Sequence, residues 1–269
     1  MPTAASMSEK ASPDIAPELW MNNVTEPIER AVAQKRLEIV GNVLEDPAMN
    51  AGEGWWVPRY MVEKNPELTT IAGIKKNVDL FKDPEDPSKG RVVGCPSGWA
   101  CQITTQNLFK AYGMESAGFN LVDPGSGAAL AGAIFKAYNR GEGVLAYYWA
   151  PTALLSKLDM VRVDLGNFDA KEFADCTGIA NCPNPKPNSF PVPKIKTVVT
   201  TDFAKRSPAA MAYLKARVWS AKDFGSVLKF MEEEQANGRV AAEWFLKNRP
   251  DAWSKWVPAD VASKVKAAL

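Results

Sequence analysis

The sequence predicts an α/β protein. Short apolar runs of strand length alternate with stretches of helical pattern, and Gly, Pro and Asn punctuate the joins. The chain has 269 residues, 46% apolar and 23% charged, enough for one large domain or two lobes with a real core. Such alternation favours sheets that are mostly parallel.

The elements follow in order. Residues 2–10 read as a helix and 14–20 (DIAPELW) as a strand running into a loop. A helix over 26–35 precedes a strand over 37–44. Residues 65–75 read as a helix and 78–81 as a short connection. A strand over 91–94 enters the first cysteine loop, and 103–112 is helical. Strands are predicted at 119–122, 144–149 (VLAYYW), 160–165 and 196–200, with a helix rich in Ala and Gly at 127–139. A loop rich in Pro and Asn, 175–193, carries the second cysteine pair. From Pro208 onward the chain is helical, stopping at Asn237-Gly238 and breaking at Pro250 and Pro258.

Composition removes several function classes. There is no histidine, which excludes Ser-His-Asp triads, Cys-His dyads, HExxH zinc sites and histidine bases. No catalytic set, metal set or cofactor motif is visible. With 32 basic and 31 acidic residues, scattered rather than clustered, no nucleic-acid surface is expected. No apolar run approaches the roughly 20 residues of a membrane span. The start, Met1-Pro2-Thr3-Ala4-Ala5, lacks the charged and apolar regions of a signal peptide.

The cysteines form two local pairs, Cys95/Cys101 and Cys176/Cys182, around stretches containing Gly or Pro. Two short-loop disulfides are the favoured reading, which implies an oxidising compartment such as a periplasm. A four-cysteine zinc site, with spacings wider than usual, and buried free thiols are the alternatives.

Nine tryptophans are present. Trp20, Trp55, Trp56, Trp99, Trp149 and Trp256 read as lying at strand ends or loop turns, whereas Trp219, Trp244 and Trp253 sit in helical sequence and read as packing residues. Ligands of open α/β sheets bind beyond the carboxyl ends of strands, where Trp20, Trp99 and Trp149 are expected. Converging indole faces attract cations, above all quaternary ammoniums, which have no N–H to donate. Either Trp55 or Trp56 is expected to line such a site while the other packs. Core packing is the competing role for each tryptophan.

These residues also resemble a family. Gly94-Cys95-Pro96-Ser97-Gly98-Trp99-Ala100-Cys101, with a helix ending Lys110-Ala111-Tyr112, resembles the disulfide-closed tryptophan loop of glycine betaine/proline betaine-binding proteins of enteric ABC uptake systems. Ala146-Tyr147-Tyr148-Trp149-Ala150-Pro151 is similar to that family's second cage segment, and residues 14–20 to the strand delivering its third tryptophan. Ser207-Pro208-Ala209-Ala210 resembles its Asn-Pro-Ala-Ala helix start.

The resemblance implies a two-lobed periplasmic-binding-protein-like fold with a hinge and an interlobe cleft. Lobe I would be 1–56 plus 150–269 and lobe II 57–149, hinged at Trp56-Val57-Pro58 and Trp149–Pro151. It implies a cage of Trp20, Trp99 and Trp149 around a trimethylammonium group, with the backbone amides of Ala100 and Cys101 on the ligand carboxylate. It implies a membrane permease as partner and a periplasmic location. Where the enteric relative places a histidine on that carboxylate, this chain reads Met21-Asn22-Asn23-Val24, so Asn22 or Asn23 is the candidate replacement. Glu18, two residues before Trp20, is a candidate for favouring choline or another cation, with a solvated carboxylate as its plainer role. Relative to the family, residues 2–10 resemble its second helix. The expectation is then a lobe I lacking a strand, with an exposed edge that could be covered by a second copy. An enzyme on methylated amines, using Glu18 or a Tyr as base, and a sensor domain are the alternative functions.

Overall fold

The structure is a computed structural model that describes residues 2–21, 25–45 and 52–269. Its strands are β1 (Ile15–Trp20), β2 (Leu37–Asn42), β3 (Gly52–Pro58), β4 (Gly90–Val93), β5 (Phe119–Val122), β6 (Leu145–Ala150), β7 (Met160–Arg162) and β8 (Ile195–Thr200). The helices used below are α1 (Pro2–Lys10), α2 (Thr25–Ala33), α3 (Ile71–Lys76), α4 (Ala100–Ala111), α5 (Gly127–Asn139), α6 (Pro208–Ala216) and α7 (Gly238–Asn248). The chain forms two units, Met1–Ala51 with Pro193–Leu269, and Gly52–Val192.

The first unit is built on a three-stranded sheet of order β1-β8-β2, antiparallel throughout. β8 is central and apolar on both sides, as its sequence IKTVVT requires. Val198 joins a core with Met7 of α1, Ile28 of α2 and Leu37, while Val199 packs with Met211 and Leu214 of α6. Adjacent residues serving opposite cores is the two-residue period of a strand. Beyond α6, Phe245, Trp253 and Trp256 form a separate aromatic core, with Trp219 and Trp244 packed on it.

The second unit has a five-stranded mixed sheet of order β5-β4-β6-β3-β7. β4 runs parallel to β5 and β6, where α4 and α5 each return the chain for another parallel strand. β3 runs antiparallel to both β6 and β7. Its core includes Trp55, Val57, Phe81, Val92, Leu108, Phe119, Ile134 and Tyr147.

The α/β class and the division into two units match expectation, but the details differ. Sheets expected to be mostly parallel are antiparallel in one unit and mixed in the other, because β8 inserts antiparallel between β1 and β2, and β3 inserts antiparallel between β6 and β7. The return to the first unit falls at 192/193 and not at 150. The segment after β6 stays in the second unit for three reasons. β7 pairs with Trp56–Pro58, the Phe190 ring packs at a tilt against Tyr147, and the Tyr112 hydroxyl lies between the carbonyls of Leu165 and Asn188, sharing its one proton with them. Trp56-Val57-Pro58 and Trp149, expected as hinges, are strand residues of that sheet. β3 itself is absent from the sequence reading, since Gly52, Gly54 and Pro58 there resemble loop punctuation. The helix expected over 65–75 is broken at Thr70 into a 3-10 turn and α3.

Candidate functional site

Trp99 stands on a loop built to present it. Cys95 and Cys101 are disulfide-bonded, with Cα atoms 5.8 Å apart. Gly98 takes φ +83°, in the left-handed region that favours glycine, and turns the chain into Trp99. A polar clasp holds the turn. Ser97 Oγ donates to Asp123 Oδ2, Gln102 Nε2 donates to Ser97 Oγ at 3.0 Å, and the Gly98 N–H donates to Gln102 Oε1 at 3.1 Å. The Ser97 hydroxyl, followed by the Gly125 N–H, holds the Asp123 carboxyl below its ordinary value. With both ends tied, Trp99 remains 41% exposed.

The ring rests on the first residue of α5. A Cβ at Gly127 would lie 2.9 Å from Trp99 Cη2 and 3.0 Å from Cζ2, so only glycine admits this approach. Ser126 caps the same helix, its hydroxyl accepting from the Ala129 N–H at 3.1 Å. Trp149, from β6, meets Trp99 with centroids 5.4 Å apart and planes at 67°. Two indoles meeting edge to face in this way form a corner, whose open faces suit an alkylated cation. Tyr148 stacks on Trp149 at 4.5 Å, and Tyr147 lies 6.3 Å from it. α4 begins at Ala100, so the N–H groups of Ala100 and Cys101 lie in its first turn, where no intrahelical acceptor exists.

The other expected site residues divide as follows. Trp20 is in the first unit, packed on Val43, Leu44 and Ile195, and its indole N–H donates to Glu18 Oε1 at 2.8 Å. Glu18 thus braces Trp20. Asn22 and Asn23 lie outside the described residues. Trp56 pairs opposite Ala146 and turns to the sheet face away from Trp55. Its indole donates to the Tyr148 carbonyl at 3.1 Å. Trp55 is fully buried in mid-strand and not at a strand end as expected, whereas Trp256 closes a 3-10 turn, as expected, and is buried in the aromatic core of the first unit. Both cysteine pairs are disulfides, and no free cysteine occurs among the described residues.

Sequence reasoning missed the Ser97–Gln102–Asp123 clasp, Gly127 and Glu53. Glu53, on β3, accepts from Tyr147 Oη at 2.6 Å. Its signal was an acidic residue between two glycines just before a buried aromatic run, which reads equally as a turn.

Residues 1–248 match the family described as the substrate-binding domain of ABC-type glycine betaine transport systems. The glycine betaine-binding periplasmic protein OusX of Dickeya dadantii is 27% identical over 169 residues, 60% of this chain and 48% of that protein. The chain thus spans about half the length of the first curated relatives it matches. The glycine betaine, L-proline-binding protein of Borrelia burgdorferi has TM-score 0.66 at 17% identity, covering 97% of this chain and 84% of that one. A choline-binding protein of an ABC transporter, in complex with choline, has TM-score 0.62 at 16% identity over 98% and 83%. At these identities the structural likeness speaks to the fold, a two-lobed binding-protein architecture.

Proposed function

Because the chain belongs to the substrate-binding domain family of ABC-type glycine betaine transport systems, we propose that it captures glycine betaine or a related quaternary-ammonium compound. It does so outside the cytoplasm and hands the ligand to the membrane permease of an ABC transporter, with no covalent chemistry. The observation that carries this is the corner made by Trp99 and Trp149. A methylated nitrogen has no hydrogen to donate, so ring faces and dispersion are what recognise it, at about 1–2 kcal/mol per face in a desolvated site. The first-turn amides of Ala100 and Cys101 would receive a ligand carboxylate or hydroxyl oxygen. The names of the relatives, which specify betaine and choline, support the same ligand class.

Calorimetry with glycine betaine and choline tests the reading. Trp99→Ala and Trp149→Ala should each weaken binding by about 1–2 kcal/mol, with melting temperatures near that of the parent protein. Unchanged affinity in both variants would remove the corner from the site. Turnover of either compound by the parent protein would replace capture by catalysis.

A further inference from the structure

β3 and β6 run antiparallel with Glu53 opposite Trp149 and Trp55 opposite Tyr147. Residues paired in this way, and those two apart, leave the sheet on one side. Glu53 therefore shares a face with Tyr147 and Trp149. The Tyr147 hydroxyl donates to Glu53 Oε1 at 2.6 Å, and the Tyr147 ring lies 6.3 Å from that of Trp149 and 5.7 Å from Phe190. The carboxylate is thus flanked by aromatic rings.

Among the described residues no Lys or Arg is bonded to it; its one side-chain partner is a neutral phenol. Arg162, nearest in register, pairs opposite Trp56 and lies against Gly54, on the other face of the sheet. Burial lifts the Glu53 carboxyl above its ordinary value, and the Tyr147 hydrogen bond offsets part of that rise. Glu53 is half-buried, and a partly desolvated carboxylate without a counter-charge is a cost to the fold. An incoming cation supplies the missing charge.

We propose that Glu53, held by Tyr147, is a specificity-determining residue that makes the site prefer net-cationic methylammonium compounds of the choline class over zwitterions of the betaine class. This rests on the capture function proposed above and deepens it. Both ligand classes bring a quaternary nitrogen that the carboxylate attracts. A betaine also brings its own carboxylate a few bonds away, which Glu53 repels. Choline has a hydroxyl there, which carries no such penalty and can hydrogen-bond in either direction.

The test is calorimetry on the full chain with choline and glycine betaine. The unmodified protein should bind choline about tenfold more tightly, the scale of one partly screened charge–charge interaction. Glu53→Gln keeps an acceptor for Tyr147 and should erase most of that ratio, chiefly by weakening choline. Glu53→Asp keeps the charge and should keep the direction of preference. Betaine binding as tightly as choline to the unmodified protein would overturn the proposal without any variant. So would a Glu53→Gln protein in which both affinities move by the same factor, since a structural role predicts that. If neither compound binds the unmodified protein, the capture function itself fails and takes this inference with it.

Discussion

The two disulfide loops of the second unit have identical spacing and different work. Cys95–Cys101 and Cys176–Cys182 each close a separation of six residues, and both touch α4. The first lies at the N-terminus of that helix, where free N–H groups point outward, and it presents a half-exposed indole. The second lies along the helix flank and presents its carbonyls inward. The buried Asn107 amide donates to the carbonyls of Thr177 at 3.0 Å, Ile179 at 2.9 Å and Cys176 at 3.3 Å. One turn on, the Lys110 ammonium donates to the Pro183 carbonyl at 2.6 Å. A short covalent loop is therefore a way of stiffening backbone. Where it meets the helix decides whether the stiffness serves a ligand or the core.

This contrast can be broken most severely at Asn107. Asn107→Ala leaves the buried Thr177 carbonyl without its donor, and the expected loss of stability is about 1–3 kcal/mol, lowering the melting temperature by about 2–10 °C. Ligand affinity, measured where the variant is still folded, should stay within about twofold of the parent value. A large loss of affinity at unchanged melting temperature would assign the flank loop to the site after all.

Exchanging cysteines for serines sharpens the comparison. The Cys95→Ser/Cys101→Ser pair and the Cys176→Ser/Cys182→Ser pair should each lose about 2 kcal/mol of stability, since loops of equal length restrict the unfolded chain equally. Only the first should also lose affinity for the quaternary ammonium, by about tenfold, as the turn carrying Trp99 loosens. Denaturant titration and calorimetry on the same samples separate the two effects. Equal affinities in both double variants would show that the clasp on Asp123 alone holds Trp99.

The smallest effect is expected at Gly127. Ala fits the first turn of α5 better than Gly does by intrinsic propensity, so Gly127→Ala should leave stability equal or slightly raised. Its methyl group meets the far end of the Trp99 ring, an exposed side chain that can swing aside at little cost to the fold, and the displaced ring is expected to cost about fivefold in affinity, roughly 1 kcal/mol. Affinity unchanged in this variant would mean that the ring is free to move without consequence.

Much of this protein was legible without its structure. The strand at Phe119–Val122 and the helix at Gly127–Asn139 occur at the residues where pattern placed them, because each is bounded by local signals: a glycine turn, a Ser cap, a positive-φ Gly141 after the end. The two cysteine pairs follow from proximity along the chain, and Trp99 and Trp149 were singled out by position and by resemblance. These are properties of short windows, and short windows are what periodicity and capping chemistry describe. Tertiary structure alone decided the rest. Gly-Glu-Gly-Trp-Trp-Val-Pro has the composition of a loop, and becomes β3 only because β6 and β7 supply hydrogen-bond partners on either side. That pairing holds 150–192 in the second unit, buries Trp55, turns Trp56 to the opposite face, and sets Glu53 against Tyr147. It brings together residues some ninety positions apart, and no local propensity encodes a register of that kind.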